Sequence, residues 1–158
     1  MTLLLCRVDD RLIHGQVVVG WGRSLGLDRI VLADDEVARS DWEQDLYRMA
    51  VPPEVDVVFA TVAGASSHLR EWAGDDRRTA IVVGSIEAAA RLYRADRASV
   101  PRINLGGLHH RPGRAERLPY LYLSDDECHR LQELAAEGAQ ITGQDVPTAT
   151  PVTLEAMT

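Results

Sequence analysis

Short runs of Val, Ile and Leu alternate with stripes of helical period along almost the whole chain, and this alternation restricts the fold more than any other feature. Leu3 to Val8, Arg29 to Ala33, Val55 to Ala60, Thr79 to Val83 and Arg102 to Leu105 are apolar on both sides of the pleat. That is the pattern of central strands covered on both faces in a parallel sheet. Between them Trp42, Leu46, Met49 and Ala50 fall at i, i+4, i+7 and i+8, and Ile86, Ala89, Ala90 and Tyr93 at i, i+3, i+4 and i+7. These are the stripes of amphipathic helices, whose apolar side faces a core. Ser40 with Glu43 and Ser124 with Glu127 read as capping boxes, while Pro52-Pro53 and Gly138 supply stops. Two further strands, Tyr120 to Leu123 and Gln140 to Val146, flank a last helix with the stripe Cys128, Leu131, Leu134 and Ala135. The expectation is an α/β fold: a single three-layer domain over residues 1–158, with an open, mostly parallel seven-stranded sheet and helices on both faces.

A chain of 158 residues suits one domain. Its 46% hydrophobic and 26% charged residues provide for a packed core. The net charge of −7 argues against nucleic acid as a partner, since polyanion binding needs a basic footprint. All 17 basic residues are Arg, which removes lysine chemistry. Cys6 and Cys128 have neither metal-ligand spacing nor a disulfide framework, and each sits in an apolar pattern as a small hydrophobe. That suits the cytoplasm. No apolar run approaches the ~20 residues of a membrane span, so any membrane association runs through partner proteins.

Two connections depart from the compact pattern. Asp9 to His14 joins the first strand to a helix expected to begin at Gly15, and Gly106 to Pro119 is a long stretch after the fifth strand. If those strands are neighbours, both loops meet at one edge of the sheet. Residues 7–17 read RVDDRLIHGQV, so that His14 stands just before a glycine at a helix start. An anion attached to His14 would meet the unpaired N–H groups of Gly15, Gln16 and Val17. Gly15 permits close approach, and Arg11 offers a planar fork of donors to the same oxygens. An imidazole is a competent nucleophile near neutral pH, and the local physics proposes a phosphohistidine loop. A histidine at such a place also serves as a cap or a solvent-facing residue.

RVDDRLIHGQV, followed by Trp21, resembles the active-site segment of IIB components of the mannose/sorbose-type bacterial sugar phosphotransferase system. The resemblance spans nearly the whole chain. Asn104-Leu105-Gly106-Gly107-Leu108-His109 is similar to that family's Asn-x-Gly-Gly-Met-His stretch, and Leu123 to Glu127 with Val146-Pro147-Thr148 to its C-terminal portion. The resemblance implies a cytosolic phosphocarrier, a transferase that accepts a phosphoryl group from a IIA histidine and passes it to a sugar held by membrane IIC and IID components. His14 matches the phosphorylated histidine, Arg11 the phosphate-stabilising arginine, and Asp9 an acidic position that orders the loop or orients Arg11. The sequence departs where an aromatic commonly follows the glycine-glycine-methionine-histidine stretch, since His110 stands there instead.

Such chemistry requires placement and charge stabilisation, and no metal or cofactor. Gly106 and Gly107 are expected at a turn near the phosphate, and His109 is a candidate for assisting there. Arg102, Arg111, Arg114 and Arg117 against Glu116 make a local positive excess expected to steer an acidic donor, with Arg111 and Arg114 as contacts. The solvated loop is the competing reading. A homo-oligomer remains open, as does a rival function, a regulatory phosphoprotein signalling to a protein partner without sugar transport. A nucleotide-binding domain is disfavoured because neither G-x-G-x-x-G nor a P-loop opens the first helix.

Overall fold

The computed structural model describes residues 3–158. Its strands are β1 (Leu5–Val8), β2 (Arg29–Ala33), β3 (Asp56–Ala60), β4 (Thr79–Val83), β5 (Arg102–Leu105), β6 (Arg114–Leu118), β7 (Leu121–Ser124), β8 (Gln140–Gly143) and β9 (Val152–Thr153). Seven of them form one sheet in the order β3-β2-β4-β1-β5-β8-β9, parallel throughout except for β9 against β8. The expected architecture is therefore present, and β1 does lie beside β5. Their carboxyl ends bring both unusual connections to one edge.

Side chains alternate cleanly across the sheet. Cys6, Val8, Val31, Ala33, Ile81 and Val83 face one core. The helices that cover it are α4 (Val62–Ser66), α5 (Leu69–Gly74), α6 (Ile86–Ala95) and α7 (Asp125–Ala136). Leu5, Ile30, Leu32, Ala80 and Val82 face the other, beneath Val17 and Trp21 of a π-helical segment, Gln16–Trp21. That segment continues as α1 (Gly22–Leu25), so the helix expected at Gly15 starts wide, with Gly22 N–H donating to the Val17 carbonyl. The remaining helices are α2 (Asp35–Ala38), α3 (Asp41–Met49) and α8 (Leu154–Met157).

Three expectations need correction. First, Tyr120 to Leu123 is not a strand of the main sheet: β7 pairs antiparallel, in a separate two-stranded ribbon, with β6, which lies inside the stretch read as loop. β6 reads RAERL and is largely exposed, so no apolar run marks it. The seventh strand is instead β9, too short to leave a pattern, and the strand expected to reach Val146 stops at Gly143. Second, Ser124 and Glu127 form a complete capping box, whereas the Ser40 side chain makes no cap bond. The start of α3 is held by the Gln44 amide, which donates to the Val37 and Ala38 carbonyls at 2.9 and 3.2 Å. Third, the α3 stripe points outward: Trp42, Leu46 and Met49 are 66%, 55% and 83% exposed.

The two serines separate experimentally. Ser124→Ala should cost about 1 kcal/mol in urea unfolding. Ser40→Ala should stay within about 0.5 kcal/mol of the parent.

Candidate functional site

At the carboxyl end of β1 the chain places a fully buried carboxylate, Asp9, and folds the following loop back onto it. Arg11 meets it three times: its backbone N–H and Nε donate to Oδ1 at 3.1 Å, and Nη2 donates to Oδ2 at 3.1 Å. The His14 Nε2 lies 3.1 Å from Oδ2. Arg7, entirely buried, adds a longer contact of 3.4 Å from Nη2. Burial alone would push the Asp9 carboxyl up; the hydrogen bonds from His14 and Arg11 reverse this and hold it well below the usual carboxylate range. An ionised carboxylate only accepts, so Nε2 carries the proton and donates to Asp9. The neutral imidazole then has its lone pair on Nδ1.

Local backbone geometry sustains this return. Leu12 adopts φ of 61°, a left-handed conformation that costs a non-glycine residue roughly 1–2 kcal/mol, and its side chain is buried as an anchor. Val18 N–H donates to the His14 carbonyl, so the N–H groups of Gly15, Gln16 and Val17 precede the first bond of the helix. Gly15 is exposed, and a Cβ there would meet nothing within 4 Å, which leaves the approach to His14 open. Arg11 is one-third exposed, its Nη2 also donating to Gln16 Oε1 at 3.0 Å. Arg11 Nη1 donates to no group among the described residues. Nη1 is therefore the part of the guanidinium available to an oxyanion.

Arg7 was not singled out by the sequence, yet it organises the floor of the site. Its Nη1 donates to Asn104 Oδ1 at 2.5 Å and to the Gln144 carbonyl at 2.9 Å, and its Nη2 to the Asp145 carbonyl at 2.9 Å. The guanidinium carbon lies 5.2 Å from the centre of the Trp21 ring. Burial lowers the Arg7 pKa from its ordinary value, with the charge of Asp9 opposing that shift. The one available signal was an arginine inside an otherwise apolar strand, since such a side chain requires a buried acceptor.

The glycine pair has a role different from the one expected. A Cβ on Gly106 would stand 2.5 Å from Arg7 Cζ and Nη2, and one on Gly107 3.0 Å from Arg11 Nη2. Neither glycine has a positive φ among the described residues, so close passage of two arginines, not a tight turn, excludes side chains here. His109 is brought beside the loop, its Nδ1 2.6 Å from Asp10 Oδ1 and its backbone N–H donating to Asp10 Oδ2. Arg114 does not project as a free contact. It forms a two-pronged pair with Glu127 at 2.9 Å and is nearly buried, tying β6 to the start of α7. Arg117 pairs with Asp125. Arg111 is exposed at a groove of about 530 Å³ that Asp34, Asp35, Glu36, Glu43 and Glu87 also line, so the expected positive excess is largely neutralised. Asp34 itself caps α2, and Asp35 accepts from the Val62 N–H.

A family model described as "PTS system sorbose subfamily IIB component" matches residues 3–158. The chain is 29% identical over 152 residues to the N-acetylgalactosamine-specific phosphotransferase enzyme IIB component 2 of Escherichia coli K12, covering 96% of each. It superposes on the crystal structure of manxB from Thermoanaerobacter tengcongensis with a TM-score of 0.84 and 28% identity, covering 98% of this chain and 93% of that one. For the IIBSor domain of the sorbose permease from Klebsiella pneumoniae the TM-score is 0.87 at 25% identity, with 99% and 96% covered.

Asp9→Asn should lower stability by roughly 3–5 kcal/mol, because it leaves buried Arg7 without its charge partner. The depressed carboxyl stabilises the fold above its unfolded pKa of about 3.9, and this contribution is lost as pH falls through the lower folded value. Urea unfolding from pH 6 down to 2 should accordingly show a steeper decline for the parent than for Asp9→Asn. Gly106→Ala should cost about 1–3 kcal/mol, since both Nη groups of the buried Arg7 are held by hydrogen bonds and the side chain has little room to yield.

Proposed function

The chain belongs to the sorbose subfamily of phosphotransferase-system (PTS) IIB components, and within that family's reaction we propose that His14 is the residue carrying the phosphoryl group, through Nδ1. As a member it is a phosphotransferase component that passes a phosphoryl group to sugar during uptake, with a IIA protein as donor and IIC and IID as membrane partners. No helix among the described residues is long and apolar enough to cross a membrane. We place the protein in the cytoplasm, held at the membrane through IIC and IID.

The observation that carries the assignment is the contact from His14 Nε2 to Asp9. It removes one ring nitrogen from reaction and leaves Nδ1 as the nucleophile, next to a Gly15 whose flank is open. As the N–P bond to the donor histidine breaks, the bond to Nδ1 forms and the ring becomes cationic; the buried Asp9 carboxylate stabilises that cation through the Nε2–H hydrogen bond. Arg11 Nη1 and the N–H groups of Gly15, Gln16 and Val17 would donate hydrogen bonds to the phosphoryl oxygens. In onward transfer the Nδ1–P bond breaks as a sugar hydroxyl oxygen bonds to phosphorus and its proton leaves to a base of the sugar-binding partner or to water, so the same contacts on the phosphoryl group serve both halves of the cycle. His109 is held against the loop by Asp10, and Arg111 lines the neighbouring groove that Asp10 and Leu12 also line.

Labelled phosphoenolpyruvate with the general phosphotransferase proteins and a matched IIA should introduce one phosphoryl group per chain. His14→Gln should unfold like the parent in urea and stay unlabelled; a fully labelled variant would overturn the assignment. Arg11→Ala should slow labelling by about 10² to 10³. Arg11→Lys should recover little of this, because a lysine cannot hold Asp9 with a fork and still present a free donor.

A further inference from the structure

α3 turns its polar side inward and its apolar side to solvent. Gln44 donates to the end of α2, and Tyr47 packs on Phe59 with ring centres 6.5 Å apart. At 100° per residue, Trp42, Leu46 and Met49 lie roughly 140–200° round the helix from Gln44. These three and Val19 are the large hydrophobic side chains left exposed among the described residues. A contiguous apolar stripe on an otherwise charged surface marks a place where another molecule sits.

We propose that this face of α3 is the docking surface for the membrane component, and that it receives a cytoplasm-facing segment of IIC or IID in which apolar side chains are flanked by Arg or Lys. The proposal rests on the phosphocarrier reading above. Charge selects the occupant. Asp41 and Asp45 flank the stripe on one side of the helix and Glu43 on the other, against Arg48, which is drawn over the Phe59 ring at 5.0 Å. Helices that lie on lipid carry basic residues towards the anionic headgroups, so this acidic border disfavours the bilayer itself. Cytoplasmic loops of membrane proteins are rich in Arg and Lys, and complement it.

Area excludes a stable pairing of two copies. A nine-residue helix is about 13–14 Å long, and one face of it falls well short of the ~800 Å² per partner of a lasting interface. A small contact suits a partner that must be released after each transfer. Position agrees too: β2 and β1 run parallel with β4 between them, α2 begins just beyond the carboxyl end of β2 with α3 following it, and Glu43 and Tyr47 of α3 line the groove that Asp10 and Leu12 of the His14 loop also line. The first turn, with Trp42, therefore lies along the edge that holds His14, and a membrane protein seated there faces the phosphoryl group.

Two variants test this: Trp42→Gln with Leu46→Gln and Met49→Gln, which keeps good helix formers, and Asp41→Lys with Asp45→Lys. Each is assayed for urea unfolding, for labelling by IIA, and for transfer to sugar at increasing concentrations of vesicles bearing IIC and IID. Binding to the same vesicles is measured on a His14→Gln background, which isolates docking from chemistry. The expected result is parent-like folding and labelling, with half-saturating vesicle concentration raised roughly 10- to 100-fold for the glutamine variant. The lysine variant should weaken binding less and reverse its salt dependence. Unchanged vesicle binding by both variants would overturn the proposal. So would loss of labelling by IIA, which would assign the face to the donor, equal binding to vesicles lacking IIC and IID, or conversion of a parent dimer to monomer. A parent that takes no label from IIA would overturn the phosphocarrier reading instead, whatever the vesicle binding shows.

Discussion

One buried carboxylate organises the site. Asp9 is inaccessible to solvent and would be costly to ionise alone, and it is kept charged by donors on Arg7, Arg11 and His14. Each of those donors comes from a different stage of the chain's path: from within β1, from the turn after it, and from the entrance to the following helix. The carboxylate thereby folds the loop back on the strand end, and Leu12 takes up a left-handed backbone conformation that such a return demands. A site assembled around one ion has few independent parts, so its geometry is fixed before any partner arrives.

That ion also reaches across the sheet. Arg7 continues from Asp9 to Asn104 on β5 and to the carbonyls of Gln144 and Asp145 beyond β8, with Trp21 at its side. Two of the segments whose residue patterns resemble one family, and the two residues that immediately precede Val146 of the third, thus meet at one guanidinium. Gly106 and Gly107 belong to the same arrangement, because the two arginines pass where a Cβ would stand. Asp10 adds a second tie through the His109 backbone.

How much of this was legible in the sequence depended on whether the information was local. Strands that are apolar almost throughout, such as Thr79–Val83, reveal themselves by composition, and so does the capping box of α7. β6 and β9 do not, since one is an exposed polar ribbon strand and the other has two residues. The stripe on α3 was visible and its direction was not: periodicity identifies a face without saying what covers it. For the site, the His14 segment was readable because its members are adjacent. Arg7 was passed over, its hydrogen-bond partners other than Asp9 being 97 and more residues away in sequence. Arg114 was read as a free charge because the sequence cannot display the pairing with Glu127 across a ribbon and a helix.

In a carrier the phosphorylated form must be reachable from one histidine and leave readily for a hydroxyl, so over-stabilising it would be as harmful as under-stabilising it. Two arginines at one loop would bind a dianion tightly if both faced it. Here Asp9 takes most of their donor capacity: Arg7 is consumed in the floor, and Arg11 commits Nε and Nη2 to the carboxylate and to Gln16, leaving Nη1. A phosphoryl group on His14 would meet one free guanidinium nitrogen, a few backbone N–H groups and a negative charge two bonds beyond the ring. On the proposed assignment, the carboxylate that would stabilise the cationic ring would therefore also moderate the field that holds the phosphoryl group. Removing it would make the site more electropositive and yet a poorer carrier, since the ring would lose its orientation while the anion gained a trap.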